Sequence, residues 1–139
     1  MRLWHTSLIS VLPREQLVAA WRELSAIAGA IQKNGTPNHL LVNFVLDYDY
    51  DHFISYAYYV RQEMTKRGYR TMDSVWNKIT TLKSNWQLIP TIYQCFPNKM
   101  DKGYMEICYW NLREKWLCGG IKDEDWLKIE ERYCDYNLL

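Results

Sequence analysis

The stretch PREQLVAAWRELSAIAGAIQK, residues 13–33, decides the fold class of this sequence. The first strong turn signal after its opening proline is the segment NGTP, residues 34–37. Apolar side chains recur within it at intervals of 4, 3, 4 and 3 residues, at Leu17, Trp21, Leu24, Ala28 and Ile31. Because this spacing places them on one stripe of an α-helix, we predict a long helix whose stripe lies in the core.

A second face of the same predicted helix carries one carboxylate among small side chains. Its members recur at helical spacing and are Ala19, Glu23, Ala26 and Ala30. Small neighbours leave a carboxylate open to approach by another group. Glu23 is therefore a candidate functional residue, although most glutamates on helices are solvated surface residues.

The sequence on the C-terminal side continues with helical patterns. Residues 51–68, DHFISYAYYVRQEMTKRG, predict a second helix capped by Asp49 or Asp51 and closed by Gly68. Its apolar positions are Phe53, Tyr56, Ala57, Val60 and Met64. Residues 40–48 between the two helices are interpreted as a buried connector, because periodicity does not decide their structure.

Three further segments complete the predicted fold. Residues 72–86 predict a short helix, residues 99–117 a longer one, and residues 124–136 a last helix capped by Asp123. A loop between Pro90 and Pro97 separates the first two. With no predicted strand, internal repeat or linker, we predict an all-α single domain over residues 1–139, a compact bundle of about four to five helices.

Composition limits the class of protein. A chain of 139 residues with 48% hydrophobic residues can bury one real core, and its net charge of +1 does not by itself indicate a polyanionic partner. The charge is unevenly distributed. Residues 71–100 hold three Lys/Arg against one Asp/Glu, whereas residues 101–139 hold six against nine. Any phosphate-binding surface is therefore expected outside the C-terminal tail.

The four cysteines give no metal-binding pattern. Successive pairs are separated by 13, 10 and 16 positions, without a CxxC or CxxH motif, so we expect neither a metal site nor a cofactor. The sequence also has no secretory leader and no long apolar run. We expect a cytoplasmic protein with reduced thiols and no membrane association.

Several blocks of the chain resemble the pyrimidine-dimer DNA glycosylase family of the endonuclease V type. The resemblance rests on the start at Met1, Leu8, Leu12, Leu17, the block Trp21-Arg22-Glu23-Leu24, Gly29 and Lys33. Residues 63–69, EMTKRGY, are similar to a helix ending of the family. Together these blocks cover about half of the chain, whereas common enzyme motifs such as GxSxG, the P-loop and HExxH do not occur in it.

The resemblance implies a fold, a reaction and two catalytic residues. The family fold is compact and all-α, with an extended N-terminal segment packed between helices. The terminal α-amine attacks C1′ of a damaged nucleotide and forms an imine, which suits an α-amino group because its ordinary pKa is about 7.7 to 8.0. The resemblance assigns the amine to Met1, which the bulky Arg2 is expected to protect from removal. It assigns the stabilising carboxylate to Glu23.

The resemblance also implies damaged double-stranded DNA as the partner of a monomer, with Arg2, Arg22 and Lys33 contacting the DNA. Some family positions differ in this chain. Two family arginines correspond to Leu3 and Ala26, and a glutamine corresponds to Glu15. These departures leave open a non-catalytic member of the fold that binds nucleic acid or protein. A glycosylase for another modified base is a further alternative, because one sequence does not identify the residues that form the base pocket.

Overall fold

The structure, a computed structural model, describes residues 1–82 and 92–138. These residues form five α-helices: α1 (Arg14–Asn34), α2 (Tyr50–Lys66), α3 (Asp73–Thr80), α4 (Lys102–Leu117) and α5 (Asp123–Asn137). Two short 3-10 helices lie at Thr6–Val11 and Asn43–Asp47. The described ranges contain no β-strand, so the predicted all-α class is confirmed.

Helix α1 forms as its apolar stripe predicts. Each member of the stripe is buried: Leu17, Trp21, Leu24, Ala28 and Ile31, joined by Ala20 and Ile27. Pro13 precedes the helix, where its missing N–H costs no hydrogen bond. Gly35 ends it with φ +76°, a left-handed conformation that favours glycine, and its N–H donates to the Ile31 carbonyl at 2.8 Å.

Helices α2 and α3 pack against α1. The predicted apolar positions of α2 are all buried, and Gly68 follows the helix with φ +80°. Asp49 stands at the capping position, but no capping hydrogen bond of its side chain occurs among the described residues. Helix α3 is shorter than the predicted helix over residues 72–86, of which residues 83–86 lie outside the described ranges.

The buried connector agrees with the prediction only in part, whereas the described part of the loop between Pro90 and Pro97, residues 92–97, contains no helix or strand, as predicted. In residues 40–48, Val42 and Val45 are buried but Leu40 and Leu41 are exposed, so the prediction of a buried connector holds only in part. In the predicted loop, Phe96 is buried, whereas Pro90 lies outside the described residues.

Helices α4 and α5, which form the C-terminal hairpin, begin at residues other than those predicted. Helix α4 begins at Lys102 because Asp101 caps it, its Oδ1 accepting a hydrogen bond from the Tyr104 N–H at 2.8 Å. The prediction that Asp123 caps α5 is wrong. Asp123 is the first helical residue, and its carboxylate accepts a hydrogen bond from Trp116 Nε1 at 2.8 Å instead.

Stacked aromatic rings join the two helices of this hairpin. The rings of Tyr109 and Tyr133 lie 3.7 Å apart between centroids, and those of Trp116 and Trp126 lie 5.0 Å apart. Both pairs are close to parallel, with interplanar angles of 13° and 8°. These four aromatic side chains therefore pack α4 against α5.

The start of the chain runs into the core, as the resemblance implied. Leu3, Trp4 and His5 are buried, and the following 3-10 helix packs against α2 and α5. Two arginines fix that 3-10 helix. Arg132 of α5 donates to the Ser7 carbonyl at 2.9 Å, and Arg67 after α2 donates to the Leu12 carbonyl at 2.7 Å.

Three further expectations concern cysteines, metals and membranes. All four cysteines are free thiols, and burial raises the pKa of Cys95 to about 12. Across residues 1–82 and 92–138, no group of three potential metal ligands comes together. None of the helices described is both long and apolar enough to span a bilayer.

Candidate active site

The first peptide bond of the chain lies against the carboxylate of helix α1. The Arg2 backbone N–H donates a hydrogen bond to Glu23 Oε2 at 3.2 Å. The α-nitrogen of Met1 is three covalent bonds from that amide nitrogen, which limits their separation to about 4 Å. The amine therefore lies within about 7 Å of the Glu23 oxygen, and the Met1 side chain is 42% exposed.

The next two residues are fixed by tyrosine hydroxyls from two different helices. Tyr104 of α4 donates to the Leu3 carbonyl, and Tyr56 of α2 donates to the Trp4 carbonyl at 2.6 Å. Burial raises the pKa of both tyrosines, so both hydroxyls keep their protons and act as donors at neutral pH. The negative charge of Glu23 adds to the shift of the Tyr56 pKa, which shows that the carboxylate lies near this cluster.

Glu23 lies on the flank of α1, between its buried stripe and its exposed face. The side chain is half-buried. Because adjacent residues of an α-helix are rotated by about 100°, the side chains of Arg22 and Glu23 point in different directions from α1. The helix therefore presents a carboxylate toward the N-terminal segment and a cation toward solvent from adjacent positions.

The three predicted DNA-binding cations differ in exposure and in position relative to Glu23. Arg2 is half-buried beside Glu23, whereas Arg22 and Lys33 are exposed. Arg22 and Lys33 are eleven residues apart and project within about 20° of each other, which separates their backbones by about 16 Å along one face of α1. The structure thus brings Met1 and Arg2 to Glu23, whereas Arg22 projects from the exposed face of α1 and Lys33 lies at the C-terminal end of the helix.

Two lysines that the sequence analysis did not single out lie on different sides of the candidate site. Lys78 of α3 lies with Nζ 3.4 Å from Ser25 Oγ, on the side of α1 opposite Glu23. A Cβ at Gly29 would lie 2.9 Å from Lys78 Nζ, so glycine makes room for this lysine. Lys99 lies with Nζ 4.4 Å from the ring centroid of Tyr104. The only sequence signal for both was the excess of basic residues in the segment 71–100.

The two family positions that lack arginine have different surroundings. Leu3 is fully buried, so its side chain is part of the core. Ala26 is exposed on the face of α1 that carries Arg22 and Lys33. Of the two positions, only that of Ala26 would add a positive charge to the exposed face of α1 if it held an arginine.

A cavity of about 610 Å³ lies elsewhere, between the first 3-10 helix and α2. Its lining includes Thr6, Ser10, Gln62 and Lys66, but neither Met1 nor Glu23. The site formed by Met1 and Glu23 is therefore separate from this cavity.

The fold and this site define a class of helical proteins in which the start of the chain is held against a carboxylate of the first long helix. The chain belongs to the pyrimidine dimer DNA glycosylase family, whose sequence model matches residues 1–77. That span includes α1, α2 and all five site residues predicted from the sequence. No curated protein and no solved structure matches the chain. The predicted resemblance is confirmed, and the family implies a DNA repair glycosylase with DNA as its substrate.

Proposed function

We propose that this protein is a DNA glycosylase and AP lyase that acts on pyrimidine dimers in duplex DNA. The single observation that carries the proposal is the hydrogen bond from the Arg2 N–H to Glu23, since it holds the amine of Met1 near a carboxylate. Membership in the family supports the class of substrate.

The proposed reaction uses only the amine and the carboxylate. The lone pair of the neutral Met1 amine forms a bond to C1′ while the glycosidic bond breaks and its electron pair leaves with the base. The attacking nitrogen loses one proton to the departing base. The nitrogen lone pair then forms the C=N bond of an imine while the C1′–O4′ bond breaks, and the second N–H proton passes to O4′. Glu23 stabilises the positive charge that develops at the sugar.

Strand cleavage follows from the imine. Glu23 assists removal of a proton from C2′, and the electron pair of that C–H bond forms a double bond while the bond from C3′ to the phosphate oxygen breaks. The phosphate leaves with the electrons of that bond. Water then hydrolyses the imine and regenerates the amine.

Five exposed or half-buried cations would hold the DNA backbone across this site. Arg22 and Lys33 point to the same side of α1, and Lys78 adds a third cation at its edge. Arg2 and Lys99 lie on the amine side, Lys99 next to the tyrosine that contacts Leu3. We propose that the protein extracts the damaged nucleotide from the duplex as a monomer. Its free thiols fit action in the cytoplasm.

A non-catalytic binding function is the second candidate, and the uncharged Ala26 at the centre of the exposed α1 face favours it. Borohydride reduction during incubation with duplex DNA separates the candidates, because it converts an imine into a stable covalent adduct. Duplexes with one thymine dimer, with another modified base or without damage are compared. An adduct with the dimer duplex supports the proposal, and an adduct only with another modified base indicates a different glycosylase. Binding without any adduct supports the non-catalytic function.

A further inference from the structure

We infer that Tyr104, in the part of the chain that the family model does not match, is a positioning residue that sets the place of the Met1 amine. The inference rests on the proposed function. It assigns the C-terminal helices a role in the reaction: α4 completes a site whose proposed catalytic groups lie at the start of the chain and on α1.

Three consecutive residues near the start of the chain are each held by a different helix. The Arg2 N–H donates to Glu23 of α1, Tyr104 of α4 donates to the Leu3 carbonyl, and Tyr56 of α2 donates to the Trp4 carbonyl. The chain start is thus tied to α1, α2 and α4 within a few residues of the amine. Of these three bonds, the one from Tyr104 is the only one supplied from outside residues 1–77.

Because it is buried, the hydrogen bond from Tyr104 to the Leu3 carbonyl controls the position of the backbone there. Leu3 is fully buried and Tyr104 is buried, so water does not readily replace a lost hydroxyl. A buried carbonyl without a donor is unfavourable, and the backbone shifts to find another partner. Leu3 is two residues from the reacting nitrogen, and a shift of about 1 Å at a reacting group lowers a rate by up to about 100-fold.

Tyr104 is itself held in place from two sides. Its own N–H donates to the Asp101 carboxylate that caps α4, and the ammonium of Lys99 lies over its ring. The hydroxyl is therefore a fixed donor on the first turn of a helix. Such preorganisation is what a positioning role requires.

Tyr104→Phe tests the inference, because it removes the hydroxyl and keeps the ring. The matched control is Tyr133→Phe, which removes a hydroxyl that donates to Glu106 Oε1 at 2.5 Å within the same hairpin. The measurements are the single-turnover rate of borohydride trapping at saturating dimer duplex, the Kd for that duplex, the Tm, and hydrogen exchange of the amides of residues 2–5.

We expect Tyr104→Phe to slow trapping by about tenfold or more, to leave the Kd within about twofold, and to speed exchange of the Arg2 amide. Tyr133→Phe should trap at the wild-type rate with a comparable change in Tm. If Tyr104→Phe traps DNA at the wild-type rate, the inference fails but the proposed function stands. The inference also fails if Tyr133→Phe slows trapping as much as Tyr104→Phe does. A wild-type protein that traps no DNA overturns the proposed function, and this inference with it.

Discussion

Arg2 and Glu23, 21 positions apart in the sequence, are joined by a hydrogen bond of 3.2 Å from the backbone N–H to Oε2. The bond closes the start of the chain onto the middle of α1. Because the donor is a backbone N–H, any residue except proline can supply it at position 2. The relationship between amine and carboxylate is therefore built into the fold.

Glu23→Gln should keep DNA binding and lower cleavage of a dimer duplex by about 100-fold or more. Glutamine can still accept the Arg2 N–H but carries no negative charge and cannot assist proton removal. The measurement is single-turnover incision together with the Kd. Glu131→Gln, which changes an exposed glutamate of α5 outside the site, is the control and should cleave normally. Normal cleavage by Glu23→Gln would remove Glu23 from the mechanism.

Arg22→Gln should weaken binding of damaged and undamaged duplexes alike. A lost phosphate contact lowers the slope of log K against log salt by about 0.9. Titrations at several salt concentrations measure this slope, with Lys128→Gln on the exposed surface of α5 as the control. An unchanged slope for Arg22→Gln would place the DNA on another surface.

Trp21→Ala should destabilise the protein by about 3 to 5 kcal/mol, because it opens a cavity in the core. Trp21 is only 6% exposed on the apolar stripe of α1. Urea unfolding gives the free energy, and the exposed neighbour Arg22→Ala should change it by less than about 0.5 kcal/mol. Equal stability of the two variants would contradict the assigned burial.

Stability should fall when the pH drops below about 6.5, the ordinary pKa of histidine. Burial lowers the pKa of His5 in the folded protein, so below pH 6.5 the unfolded chain binds more protons than the folded one. The stabilisation is complete above pH 6.5 and is lost as the pH falls toward the folded pKa. Burial also lowers the pKa of His52, which acts in the same direction.

His5→Asn separates the contribution of His5 from that of His52. Asparagine can cap the first 3-10 helix as His5 Nδ1 does, by accepting the Ser7 N–H, and it does not titrate. Urea unfolding at pH 7.5 and 5.5 should show a smaller loss of stability for the variant than for the wild type. An equal loss in both proteins would show that His5 does not contribute.

The sequence was sufficient for features that depend on local periodicity. The buried stripe of α1 follows from its 3.6-residue repeat, and the ends of α1 and α2 follow from Gly35 and Gly68. Helix starts were harder to predict, because an aspartate in the first turn of a helix gives the same sequence pattern as an aspartate that caps it. Asp123 accepts a hydrogen bond from Trp116 and therefore does not cap α5.

The parts of the site that sequence could not predict depend on long-range contacts. Glu23 was identified within a recognisable block, but Tyr104 lies 101 positions from the Leu3 carbonyl that it contacts. Lys78 reaches Ser25 from 53 positions away. No local pattern records such contacts, since they arise only when the helices pack.

The most direct test of the account is the position of the covalent bond in borohydride-trapped protein. The adduct with a dimer duplex is digested and the modified residue is located by mass spectrometry, first in untagged protein whose intact mass shows that Met1 is retained. We expect a single modification on the α-nitrogen of Met1. We also expect no adduct when an uncleaved tag precedes Met1, with a nearly unchanged Tm because Met1 is partly exposed. Modification of a lysine side chain such as Lys99, or trapping by the tagged protein, would contradict it.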